Sequence, residues 1–137
     1  MVWYATSEER FGAPGKKGDR GEQIVYEYCL KNNIDWQDCN DYDSQVIKKI
    51  DCIIDGIPVD VKANFFKGFL AVETFQNKRS WAAARDGWIF TTQAKQIYTV
   101  EVDSESIYIY NVDDMRRYVA RNMHRQKKTK TGDKLIW

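Results

Sequence analysis

Lys49-Ile50-Asp51-Cys52-Ile53-Ile54-Asp55-Gly56-Ile57-Pro58-Val59-Asp60-Val61-Lys62 decides how this chain is read. Asp-Gly between two β-branched runs is the strongest short-range hairpin signal, because both central residues of a type I′ turn need positive φ. With Asp55-Gly56 as a two-residue turn, Ile54 faces Ile57, Cys52 faces Val59, and Ile50 faces Val61. Side chains alternate along a strand, so these six apolar residues share one face, which goes into the core. The other face then sets Asp51 across from Asp60 and Lys49 across from Lys62. Like charges directly opposite on a sheet cost stability. Paired carboxylates become tolerable when one takes a proton or when a divalent cation lies between them. A solvated face with its register shifted by a bulge at Pro58 is the plainer alternative.

The rest of the chain arranges itself around this hairpin. Residues 1–18 contain Gly12, Pro14, Gly15 and Gly18 and read as a polar arm. A helix is predicted from Asp19 to about Asn32-Asn33, then a short strand over 34–39. Strands are predicted over 45–54, 57–66, 69–74, 88–92, 96–102 and 106–110, with a short helix over 78–86 ended by Gly87. Asn111 caps a last helix with Asp113 and Asp114 in its first turn and Met115, Tyr118, Val119 and Met123 on one side. The order predicts one α/β (α+β) domain over 19–137, a central mixed sheet flanked by helices, preceded by the arm.

Glu22 opens the first helix. On a wheel of ~100° per residue it lies within ~60° of Val25, Tyr26 and Cys29, near the buried side, where an unpaired carboxylate is costly. It can reach over the sheet toward Asp51 and Asp60, although the helix dipole alone would favour an acid there.

A helix-borne acid (Glu22), then Asp51, then Asp60-Val61-Lys62 across a hairpin resembles the PD-(D/E)XK nuclease superfamily, the restriction-endonuclease-like fold that includes Holliday-junction resolvases and phage endonucleases. Gly21-Glu22 at the helix start is similar to the resolvase-like members; Ile50 stands where the motif has Pro. The likeness covers Gly18 to about Phe66. It implies a restriction-endonuclease-like core and a metal-dependent endodeoxyribonuclease hydrolysing phosphodiester bonds, structure-selective in the manner of a junction or flap resolvase. It implies Glu22, Asp51, Asp60 and Lys62 as catalytic. Mg²⁺ would be held by Asp51, Asp60, the Val61 carbonyl and Glu22, with Mn²⁺ able to substitute, and a symmetric homodimer is one implied assembly. A nuclease-fold module that binds nucleic acid or a partner without cutting is the alternative. Glu73 is a weaker candidate.

Taken as a total, composition speaks against a nucleic-acid partner: 137 residues carry 21 Lys+Arg and 20 Asp+Glu, a net of +1. The charge is unevenly spread. Between 116 and 134 stand eight basic residues and one acid, about +7, leaving the remaining 13 basic and 19 acidic residues at −6. The basic end is either a solvated tail or a phosphate-contacting surface. Arg116, Arg117, Arg121, Arg125, Lys127 and Lys128 are its candidate DNA contacts, joined by Lys16, Lys17 and Arg20 beside Glu22. The segment around Trp81 and Trp88 could stack on a base, though core packing is the commoner role for such residues. At 43% hydrophobic and 14% aromatic the chain is expected to fold as a globular protein. Three cysteines without a Cys-x-x-Cys pair, and His124 alone, do not make a structural zinc site. The start of the sequence lacks signal-peptide features, and no run approaches the ~20 apolar residues of a span. A cytoplasmic protein with no membrane partner is expected.

Overall fold

A mixed five-stranded sheet, ordered β1-β2-β3-β6-β7, forms the centre of the molecule. The computed structural model describes residues 19–64, 71–76, 85–128 and 132–136. The central strands are β1 (Trp36–Asp38), β2 (Cys52–Ile54), β3 (Ile57–Asn64), β6 (Gln96–Glu101) and β7 (Ser106–Asn111). All neighbours are antiparallel except β3 and β6, whose parallel pairing demands a long crossover. That crossover contains β4 (Ala71–Gln76) and β5 (Arg85–Asp86), which join β8 (Lys127–Lys128) and β9 (Gly132–Ile136) in a second sheet ordered β5-β4-β9-β8. The expectation of a mixed sheet with helices in one α+β domain holds; the second sheet was not foreseen.

Helix α1 (Asp19–Lys31) packs on one face of the central sheet, burying Ile24, Val25 and Cys29 against Cys52, Ile54, Val59, Tyr98 and Val100. It ends where the sequence places its stop. Ile34 N–H donates to the Cys29 carbonyl at 2.9 Å, Asn33 N–H to Leu30, and Asn33 takes φ 54, the Schellman arrangement with Asn at the left-handed position. Helices α2 (Trp88–Thr91) and α3 (Val112–Asn122) cover the opposite face, where Ile89, Ile97, Val112, Met115, Val119 and Val72 form a second cluster. Asn111 caps α3 as expected, its side chain accepting from Asp114 N–H at 3.1 Å. Met123 leaves that helix in a short 3₁₀ turn and is exposed.

The hairpin turn is type I′, with φ 53 at Asp55 and 80 at Gly56, and Cys52↔Val59 and Ile54↔Ile57 pair as read. Other expectations need correction. Asp43–Lys48 winds as a π-helical turn instead of extending the strand, so β2 begins only at Cys52. Ile50 consequently joins Cys39 and Ala94 in a separate cluster. Residues 88–91 are helical rather than extended, since the turn buries Ile89 and packs the partly buried Trp88 on the same cluster as α3, and Arg85–Asp86 is a strand. The rest of the short helix expected over 78–86, Trp81, and the N-terminal arm with Lys16 and Lys17 lie outside the described residues. Among the described residues no helix is long and apolar enough to cross a membrane.

Candidate active site

Strand β3 sorts its side chains between the two faces. Val59 and Val61 pack into the α1 cluster, while Asp60 lies in register with Ile97 and Lys62 with Thr99, on the α2–α3 side. Asp60 is thereby buried, 4% exposed, without a structural partner that fully satisfies it. Its Oδ2 has no well-aligned hydrogen bond, and Lys62 Nζ stands 3.4 Å away. Burial pushes the Asp60 carboxyl well above the usual carboxylate range; Lys62 opposes that, and the adjoining Asp51 carboxyl reinforces it.

Asp51 arrives beside Asp60 by a route the alternation rule does not contain. Its N–H donates to the Val59 carbonyl at 2.9 Å, and its Oδ2 accepts from Val61 N–H at 2.7 Å. The side chain thus occupies the position the next β2 residue would have filled, lying near the plane of the sheet. The expected Lys49/Lys62 and Ile50/Val61 pairs do not form. Lys49 sits at φ 58, a left-handed conformation costing a non-glycine residue roughly 1–2 kcal/mol. Several bonds hold it there. Ile50 N–H donates to Ser44 O at 2.9 Å, Gln93 N–H to Lys48 O at 2.7 Å, and Thr92 Oγ1 to Lys49 O at 2.9 Å. One consequence is chemical. Successive residues of a strand address alternate neighbours, and Val59 O and Val61 N–H both point to the β2 side. The Val61 carbonyl therefore faces the same side, past the last β2–β3 pair, next to Asp51.

Lys62, its side chain 29% exposed, carries its ammonium over the Trp88 ring, 4.7 Å from the centroid. Sequence reasoning missed this role for Trp88. Its partner is far away in the chain, and residue types over 88–92 point to a strand where the structure has the helical turn that aims the indole. Glu22 lies in the first turn of α1, half-buried, on the other side of the sheet. Its opening turn is seated tightly: a Cβ at Gly21 would lie 3.0 Å from Ala63 Cβ. Burial chiefly, then the charges of Asp51 and Glu22, push the Cys52 thiol up. Asp51, Asp60 and Lys62 are thus brought together, whereas Glu22, expected to reach over to them, stands on the α1 side of the sheet and does not complete a group of three acids with them. Among the described residues no group of three or more His, Cys, Asp or Glu is arranged to hold a metal ion. Glu73 falls on β4 of the second sheet, in register with Lys134.

The basic residues differ in their surroundings. Arg116 is taken up by the fold, donating from Nε to Ile89 O at 2.8 Å and from Nη2 to Thr92 O at 2.7 Å, where it closes the end of α2. Arg117 pairs with Asp114 at 2.7 Å and Arg20 with Glu105, both exposed pairs of the weak surface kind. Arg121, His124, Arg125 and Lys127 are exposed along the end of α3 and beyond it. Lys128 lies in β8, in register with Asp133.

No family model and no curated protein matches the chain. A solved structure of a bacterial homing endonuclease, I-Ssp6803I, is similar over 88% of this chain and 72% of its own, at 16% sequence identity and a TM-score of 0.48.

Proposed function

We propose that this chain is a Mg²⁺-dependent endonuclease acting on DNA. The observation that carries the reading is a buried carboxylate, Asp60, with an unbonded oxygen beside a second carboxylate and an ammonium. Such an arrangement costs the fold, since a buried oxygen without a well-aligned hydrogen bond loses about 1–3 kcal/mol and one ammonium at 3.4 Å answers only part of that. The donor set fits a hard cation: Asp51, Asp60 and the Val61 carbonyl supply oxygen only, and an Mg²⁺ held by two carboxylates would keep several waters. When bound, it would supply an acidified water and screen charge on the scissile phosphate. Lys62 would orient the attacking water and stabilise the charge developing on the phosphoryl oxygens. Asp51, fixed by the Val61 N–H, would keep its free oxygen aimed at the site. Glu22 would act from the β2 end, through a water or a second ion. The exposed Arg121, Arg125 and Lys127, with Lys16, Lys17 and Lys128, would contact the phosphate backbone.

Supercoiled and branched DNA incubated with Mg²⁺ or Mn²⁺ and with wild type, Asp60→Ala or Lys62→Ala tests the reading. Wild type should nick, Asp60→Ala should not, Lys62→Ala should nick about a hundredfold more slowly, and DNA affinity should persist in each. Equal nicking by all three sinks the assignment, and binding without cleavage by wild type identifies the non-cutting nuclease-fold module instead. A panel of duplex, flap and four-way junction assigns the substrate shape. Cutting both strands with one small site per chain calls for a symmetric pair, which sedimentation on DNA would detect.

A further inference from the structure

We propose that Trp88 is the positioning residue for Lys62, its indole face holding the ammonium beside Asp60; the inference rests on the endonuclease reading and assigns a residue to that same site. Lys62 is partly exposed, on a long flexible stem whose rotamer freedom is among the largest of any side chain. One off-axis contact to Asp60 at 3.4 Å does not fix such a group. The ring at 4.7 Å supplies the second restraint, and Trp is the best of the aromatic faces for a cation.

The choice of an aromatic partner follows from the local charge. A third carboxylate would also attract Lys62, but it would add repulsion to a place where Asp51 already acts on buried Asp60. An indole attracts the ammonium without adding a formal charge, and it excludes water from one side of the pair. Trp88 is itself held. It is the first residue of α2, its carbonyl accepts Thr92 N–H at 2.9 Å, and its side chain packs on the cluster of Val72, Ile89 and Met115. Arg116, bonded to the Ile89 and Thr92 carbonyls, locks the same turn.

The test compares wild type, Trp88→Phe, Trp88→Leu, Lys62→Ala and the Lys62→Ala/Trp88→Leu double variant, each checked by thermal melting. Trp88→Leu should lower kcat for nicking about tenfold with KM within about twofold, and Trp88→Phe should recover most of that loss. The double variant should be no slower than Lys62→Ala alone, because the indole then has nothing to hold. In NMR of lysine-labelled protein, the Lys62 ε-CH₂ protons should be shifted upfield by the ring in wild type and Trp88→Phe, and not in Trp88→Leu. Unshifted Lys62 resonances in wild type, an unchanged kcat in Trp88→Leu, or losses that multiply in the double variant overturn the proposal. A wild type that cuts no DNA overturns the endonuclease reading instead, and the NMR comparison still decides whether Trp88 positions Lys62.

Discussion

Replacing Asp60 with Asn measures whether the buried carboxylate costs the fold stability. The side chain is 4% exposed, and burial is the first cause of its raised pKa, with Asp51 repulsion adding to it. Against these stands Lys62 at 3.4 Å, whose side chain is 29% exposed and can turn to water when its partner is neutral. Replacing a desolvated charge by a neutral isostere should therefore stabilise the protein at pH 7–8 by about 1–2 kcal/mol. Unfolding entropy of about 2.1 cal/mol/K per residue gives ~0.29 kcal/mol/K for 137 residues, so Tm should rise by about 3–7 °C. The sign with pH is fixed by the direction of the shift. The unfolded chain ionises Asp60 near its ordinary value of 3.8, before the folded protein does. Stability conferred by the neutral form is complete below that value and is lost as pH rises through the folded pKa. The advantage of Asp60→Asn should be absent at about pH 3 and open above about pH 4. Calorimetric melts across this range without metal test it; a less stable Asn variant at pH 7–8, or a gap widest in acid, refutes the reasoning. Repeating the melts with Mg²⁺ at about ten times its Kd should raise wild type by about 1.4 kcal/mol, near 5 °C, and leave the variant unmoved.

Gly21→Ala should destabilise by about 1–2 kcal/mol despite the better helix propensity of Ala, because the new Cβ meets the Ala63 Cβ at 3.0 Å and that atom moves only with β3. Chemical denaturation measures it, and a Gly21→Ala protein as stable as wild type would mean that the α1–β3 contact yields easily. Arg116→Ala should lose about 2–3 kcal/mol by melting through two charge-assisted, part-buried bonds to the carbonyls of Ile89 and Thr92. Arg121→Ala and Arg125→Ala should leave Tm within about 2 °C, while each reduces the salt slope of DNA binding by about one. Asn111→Ala removes the cap on Asp114 N–H and should lower Tm by about 3–4 °C.

The elements legible in the sequence were those encoded locally. Asp55-Gly56 dictates a type I′ turn, Asn33 and Asn111 mark helix ends, and alternation from Ile57 to Lys62 sorts β3 between two faces. What escaped was set by contacts distant in sequence. The run from Gln45 to Ile50 is β-branched enough to read as a strand, yet the backbones of Lys48, Lys49 and Ile50 bond to Gln93 N–H, the Thr92 hydroxyl and Ser44 O, which wins over propensity. Trp88 and Ile89 likewise suit a strand by residue type and become a helical turn because α3 and Arg116 offer a face and two donors. Arg116 looked like its basic neighbours; only the carbonyls it caps distinguish it.

The break in the ladder at Asp51 accounts for the site's arrangement. Asp60 and Lys62 lie on the α2–α3 face of the sheet, and Glu22 comes from the α1 face. A continuous β2 strand would oppose Asp51 to Asp60 across a narrow pair with like charges in contact. By leaving the strand through the π-turn and the left-handed Lys49, the chain frees the Val61 N–H for the Asp51 carboxylate and leaves the Val61 carbonyl unladdered. Restoring the strand should therefore remove activity without removing the motif. A Lys49→Val substitution, β-branched and intolerant of positive φ, should cost about 1–3 kcal/mol and depress cleavage far more than DNA binding, with Asp51, Asp60 and Lys62 all intact. Lys49→Gly, at ease at φ 58, should keep both. Equal cleavage by the two would show that the backbone at Lys49 does not set the position of Asp51.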